Sequence, residues 1–144
     1  MIAYLDTSAL VKLFLAESGR SVVAQVWDAA DGVVTSAATY PEARAALSAA
    51  ARKGRIDRRS LPRSVAELDR RFSMVDVVEL GRSLAMAAGV VAERFALRGY
   101  DAVHLASALS VDAGRTVMLT WDTDLGRAAA AAGLDVVPAP AAES

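Results

Sequence analysis

The sequence predicts an α/β fold, a three-layer α/β/α sandwich with a mainly parallel central sheet. Three observations carry that expectation. Short apolar runs alternate along the chain with longer stretches of helical spacing. The short runs lack polar alternation, as strands buried on both faces do. Alanine, about a fifth of the chain, favours helix without adding bulk.

Taken in order, Met1 to Leu5 reads as a buried strand. Ser8 to Glu17 then places Leu10, Val11, Phe14 and Leu15 on one helical stripe, and Ser18-Gly19 ends it. Val22, Val23, Val26 and Trp27 repeat the stripe before Asp31-Gly32 turns into a second strand, Val33 to Ser36. Thr39-Tyr40-Pro41-Glu42 opens a helix to about Lys53, with Gly54 as its stop. A helix from about Arg58 to Phe72 and a strand within Met74 to Leu80 follow. Ser83 to Leu97 is helical, Gly99 interrupts, and Asp101 to Asp112 forms another helix. Thr116 to Thr120 is a strand, Thr123 to Ala132 a helix stopped by Gly133, and Leu134 to Val137 the last strand.

The 144 residues suit one domain, 1–144, with a tail that frays from about residue 138. The absence of cysteine excludes a disulfide scaffold, a thiolate nucleophile and cysteine-held metals. No signal-peptide pattern and no uncharged 18-residue run occur, so a soluble, cytoplasmic protein without a membrane anchor is expected. Net charge is −1, yet Arg52 to Arg71 holds eight of the 16 basic residues against Asp57, Glu67 and Asp69. Such a stretch can contact phosphates, with Arg52, Arg55 and Arg59 as candidates, or form solvated helix faces or a partner surface.

Five acids sit just after strands or at helix starts: Asp6 in YLDTS, Glu42 in TYPEA, Asp101 in GYDAVHLA, and Asp122 and Asp124 in LTWDTDL. Each has a local explanation. Asp6, Asp101 and Asp122 can be helix N-caps, worth about 1 kcal/mol apiece, and Glu42 can close a capping box begun at Thr39. Together they suggest more, because acids following parallel strands emerge at one edge of the sheet, where α/β folds bind ligands. Carboxylates crowded there repel by kcal/mol amounts unless a proton or cation neutralises them. An all-oxygen donor set selects a hard divalent ion such as Mg²⁺ or Mn²⁺, and such an ion suits phosphodiester hydrolysis.

These four segments, in this order and spacing, resemble the PIN-domain family, most nearly its VapC-type bacterial toxins, over almost the whole chain. The resemblance implies a metal-dependent ribonuclease of a toxin–antitoxin module, an RNA substrate, an inhibitory antitoxin and a homodimer. It also implies cleavage to a 5′-phosphate and a 3′-hydroxyl. Asp6, Glu42, Asp101 and Asp122 match the family's acidic site, with Asp6, Asp101, Asp122 and the more variable Asp124 as metal ligands. Ser8 and Thr120 match its hydroxyls, which orient carboxylates or water; as plain residues they are equally ordinary turn and capping hydroxyls. His104, three residues after Asp101, is expected to support the site rather than bind the ion. Trp121 could stack on a base, but packing beside a strand is the expected role.

Two other classes stay open. A binding module could keep the fold without turnover, although the acids are intact. A Mg-binding receiver-type phosphoacceptor needs a lysine beyond a late strand, whereas Lys12 and Lys53 both fall within helical segments. A dehalogenase-type phosphatase would want Asp-x-Asp after the first strand, where Asp6-Thr7-Ser8 stands.

Overall fold

Strand β1 (Ile2–Leu5) is apolar throughout, and in the computed structural model, which describes residues 1–141, it is the central strand of a five-stranded sheet. Around it lie β2 (Gly32–Ser36), β3 (Asp76–Val78), β4 (Thr116–Leu119) and β5 (Asp135–Val137), in the order β3-β2-β1-β4-β5. Every neighbouring pair is parallel, with Tyr4 opposite both Val34 and Met118, and Leu5 opposite Leu119.

Side chains that alternate along β1 and β4 build two cores. Ala3, Leu5 and Leu119 pack with α1 (Thr7–Leu10), α2 (Arg20–Ala29), α3 (Thr39–Arg52) and α4 (Leu61–Phe72) through Leu10, Val23, Leu47 and Leu68. Tyr4, Val34 and Met118 pack on the other face with α6 (Gly99–Ser110) and α7 (Thr123–Ala131) through Leu105, Ala108, Leu125 and Ala128. Helix α5 (Arg82–Phe95) covers α6 through small residues, Ala88 against Ala102 and Ala106. Full burial of each Leu in these cores contributes about 1.5–3 kcal/mol. The result is the three-layer α/β/α sandwich expected from the strand and helix pattern.

Element ends differ from expectation for local reasons. The first helix does not reach Glu17. After Leu10 it tightens into a 3₁₀ turn, Val11–Leu13, and Phe14 N and Leu15 N both donate to the Val11 carbonyl. Lys12, buried with its Nζ 4.7 Å over the Trp121 ring, reaches Glu17 at 3.3 Å and closes the loop. Gly19 then takes φ 99°, and a Cβ there would stand 2.6 Å from the Trp121 ring. Gly99 opens α6 instead of interrupting the chain. A 3₁₀ turn, Arg58–Ser60, precedes α4, and the strand within Met74 to Leu80 shrinks to three residues.

From β1 the chain builds outward through β2 to β3, then returns to β4 on the other side of β1. The connections therefore leave β1 and β4 in opposite directions, which opens a crevice beyond their carboxyl ends.

Candidate active site

Asp6 is the first residue after β1 and Asp122 lies three beyond β4, so the sheet itself brings them to the crevice. Both are N-caps. Asp6 Oδ1 accepts from Ala9 N at 2.9 Å, and Asp122 Oδ1 accepts from Leu125 N at 2.9 Å. The cap accounts for only part of Asp6. Its Oδ1 also accepts from the Ser8 hydroxyl at 2.7 Å, and Oδ2 accepts from the Thr120 hydroxyl at 2.6 Å. Ser8 Oγ in turn accepts from Trp121 N at 2.9 Å, and Thr120 Oγ1 from Asp122 N at 3.1 Å. Two hydroxyls thus tie the segment after β1 to the segment after β4.

Glu42 does not close a capping box. The N-cap of α3 is Ala38, and the Thr39 hydroxyl is engaged by Thr35 at 2.8 Å. One oxygen of Glu42, Oε1, meets the Thr7 hydroxyl at 2.8 Å and His104 Nε2 at 2.9 Å. His104 Nδ1 lies 2.9 Å from the Tyr4 hydroxyl, deep between β1 and α6. Burial pushes the Glu42 carboxyl up, and the hydrogen bonds from His104 and Thr7 outweigh that push, leaving it below the ordinary value.

Asp101 is not a cap either. Arg98 holds that position, and Asp101 is the third residue of α6, half-buried. Burial raises its carboxyl first, and the negative charges of Asp122 and Asp6 raise it further. Asp6 is raised as well, by burial that its three donors and His104 do not fully offset. The fold therefore sets Asp101 where the charges of both Asp122 and Asp6 reach it. Asp124, at the second position of α7, is exposed and lines a cleft with Phe95, Ala96 and Arg127.

The donor chemistry fits a hard divalent cation: the converging groups offer only carboxylate and hydroxyl oxygens, and they repel one another without a cation. Among the described residues no group of three or more His, Asp or Glu side chains is placed to hold a metal ion. Mg²⁺ needs no such cage, since it binds through one or two carboxylates and keeps several waters.

Arg52 lies at the opposite end of α3 from Glu42, ten residues or about 15 Å along the axis. It donates to Ser48 Oγ at 2.7 Å. Arg55 is paired with Glu17 at 2.6 Å, and Arg59 is exposed. None of the three adjoins the acids by contact. Trp121 packs against the core on the α1–α4 face and under Lys12, not outward. Pro138 to Ala141 line a small cavity with Thr120, Trp121 and Asp122; the rest of the tail expected to fray lies outside the described residues.

Sequence reasoning missed three residues. Thr7 gave no signal beyond its place after Asp6. Tyr4 reads as one more apolar strand residue until its hydroxyl is placed. Lys12 interrupts an apolar stripe, LVKLF, and that position on a buried face was its only mark.

A family model described as PIN domain matches residues 3–131. Ribonuclease VapC49 of Mycobacterium tuberculosis is 41% identical over 138 residues, 96% of each chain. Among solved structures, Mycobacterium tuberculosis VapC20, titled a sarcin-ricin loop cleaving toxin, superposes with a TM-score of 0.66 at 21% identity, covering 92% of this chain and 95% of that one. A toxin–antitoxin complex from Klebsiella pneumoniae gives 0.62 at 22% identity, covering 84% and 87%.

Proposed function

Since the chain belongs to the PIN-domain family, we propose that it is a metal-dependent endoribonuclease that acts as the toxin of a toxin–antitoxin pair. The observation that supports this is the rim beyond β1 and β4, where Asp6 and Asp122 follow adjacent parallel strands and their negative charges raise the Asp101 carboxyl. The ribonuclease name of the 41% identical relative supports RNA as substrate, and the toxin–antitoxin complex among the structural neighbours supports an antitoxin partner. A homodimer and a cytoplasmic setting complete the reading; no helix among the described residues is long and apolar enough to cross a membrane.

Asp6, Asp101 and Asp122 would surround Mg²⁺ or Mn²⁺, one or two of them directly and the rest through water, with Glu42 beside them and Asp124 as an outer contributor. The ion would supply Lewis acidity toward a phosphoryl oxygen and a nucleophile at neutral pH. The protein's own part is positional. Ser8 and Thr120 lock both Asp6 oxygens in place, and the Asp122 cap fixes a second carboxylate on the start of α7. Water attacks phosphorus in line, the P–O3′ bond breaks, and the oxygen takes up a proton, leaving a 5′-phosphate and a 3′-hydroxyl. Exposed arginines, Arg52 and Arg59 among them, would contact phosphates at a distance from the cut.

Incubation of the purified protein with RNA and Mn²⁺ or Mg²⁺, beside Asp6→Asn, tests the proposal. Metal-dependent cleavage lost in the variant is expected. Cleavage without metal, or equal cleavage by Asp6→Asn, overturns it.

A further inference from the structure

We infer that Tyr4 and His104 form a buried positioning arm that holds Glu42 Oε1 in place and so presents Glu42 Oε2 to the reaction, an inference that rests on the nuclease reading above. The arm joins three elements that the sheet and its helices fix independently: Tyr4 on β1, His104 on α6 and Glu42 on α3. Tyr4 is 0% and His104 3% exposed, so neither side chain can trade its partner for water.

The direction of each hydrogen bond follows from charge and burial. Glu42 Oε1 already accepts from the Thr7 hydroxyl and a carboxylate has no proton to give, so the proton between it and His104 belongs to Nε2. In the neutral ring Nδ1 is then the acceptor, and the Tyr4 O–H donates to it over 2.9 Å. The phenol donates to the imidazole and the imidazole to the carboxylate, and among the described residues no buried side-chain nitrogen or oxygen lacks a partner.

Both tethers of Glu42, His104 Nε2 and the Thr7 hydroxyl, converge on Oε1. A free glutamate would hold several rotamers, and ordering it costs up to about 2 kcal/mol. The arm meets that cost during folding and leaves Oε2 as the oxygen without a tether. A purely packing role asks less, because an apolar ring at position 4 would fill the same space. The phenol hydroxyl earns its place only by orienting the imidazole.

His104 is the sole histidine, so long-range ¹⁵N–¹H NMR of the intact protein reads one imidazole. The Nε2–H tautomer is expected, and the Nδ1–H tautomer overturns the arm with no reference to activity. Turnover and Mn²⁺ affinity, measured by electron paramagnetic resonance, are then compared for His104→Leu, His104→Gln and Tyr4→Phe. Removing an outer partner of a metal-site carboxylate costs about 10- to 100-fold. His104→Leu should lose that much in kcat with KM for RNA unchanged, while His104→Gln, whose amide can still donate to Oε1, recovers most of it. Tyr4→Phe should lose less than about tenfold. Equal losses in the Leu and Gln variants, or wild-type kcat in both His104→Leu and Tyr4→Phe, overturn the inference while leaving the nuclease reading intact. A wild-type protein that neither binds Mn²⁺ nor cuts RNA overturns that reading, and the purpose of the arm with it.

Discussion

The rim beyond β1 and β4 and the basic stretch from Arg52 to Arg71 are both densely charged, and they treat charge in opposite ways. Along α4, Glu67 accepts from Arg70 at 2.6 and 2.8 Å and from Arg71 at 3.1 Å, which holds its carboxyl far below the usual range, to about 2. Arg55 meets Glu17, and Arg71 also lies 5.1 Å over the Trp27 ring. Opposite charges meet there in solvent, where such pairs gain and cost little. At the rim like charges are gathered under burial, Asp6 is raised despite three donors, and only burial and the charges of Asp122 and Asp6 raise Asp101. A fold tolerates the second arrangement where a ligand removes the repulsion, and that contrast separates a site from a surface.

Asp6→Asn should sharpen the contrast most. RNA cleavage should fall by more than the roughly hundredfold that outer partners cost, while the metal-free variant melts no lower than wild type because a buried charge is gone. A variant that keeps activity, or one that melts clearly lower, breaks the contrast. Thr120→Val comes next. It deletes the donor to Asp6 Oδ2 and the acceptor for Asp122 N, so cleavage should drop about 10- to 100-fold and stability by about 1–3 kcal/mol. Chemical denaturation and kinetics check both figures.

The pH dependence of Asp101→Asn is a subtler probe. The folded-state value of Asp101 is raised above its ordinary 3.8, so the native state holds the proton more tightly than the unfolded chain. Its ionisation therefore costs stability above that window, and the cost disappears as pH falls below the ordinary value. Without metal, Asp101→Asn should melt above wild type at pH 7, with the gap closing toward pH 4. A gap that widens on acidification would deny the repulsion.

Effects at the basic end should be small. Arg52→Ala and Arg59→Ala should raise KM for RNA severalfold, alike for all sequences, and flatten the salt dependence of binding. Unchanged binding would assign that stretch to solvent or a partner. Glu67→Gln should leave the melting temperature unchanged; a clear drop would show that the surface pairing bears structure after all.

The chain's own pattern reached most of the architecture because each signal was local. Val33 to Ser36 as a buried run, Gly54 and Gly133 as stops, and Thr123 to Ala132 as a helix depend only on neighbours in sequence. Local reasoning also found the Asp6 and Asp122 caps, whose partners are three residues away. The capping alternative it offered for Asp101 and Glu42 does not hold, because the N-caps of α6 and α3 are Arg98 and Ala38.

What the sequence determined by itself was the kind of chemistry: parallel strands, acids at their carboxyl ends, oxygen donors and no sulfur. What the tertiary structure decided was which groups meet. The order β3-β2-β1-β4-β5 made Asp6 and Asp122 neighbours across 116 positions, and burial between β1 and α6 turned Tyr4 and His104 into partners 100 residues apart. Periodicity and capping are written in adjacent residues, whereas a hydrogen bond between distant ones exists only after the core has fixed both backbones.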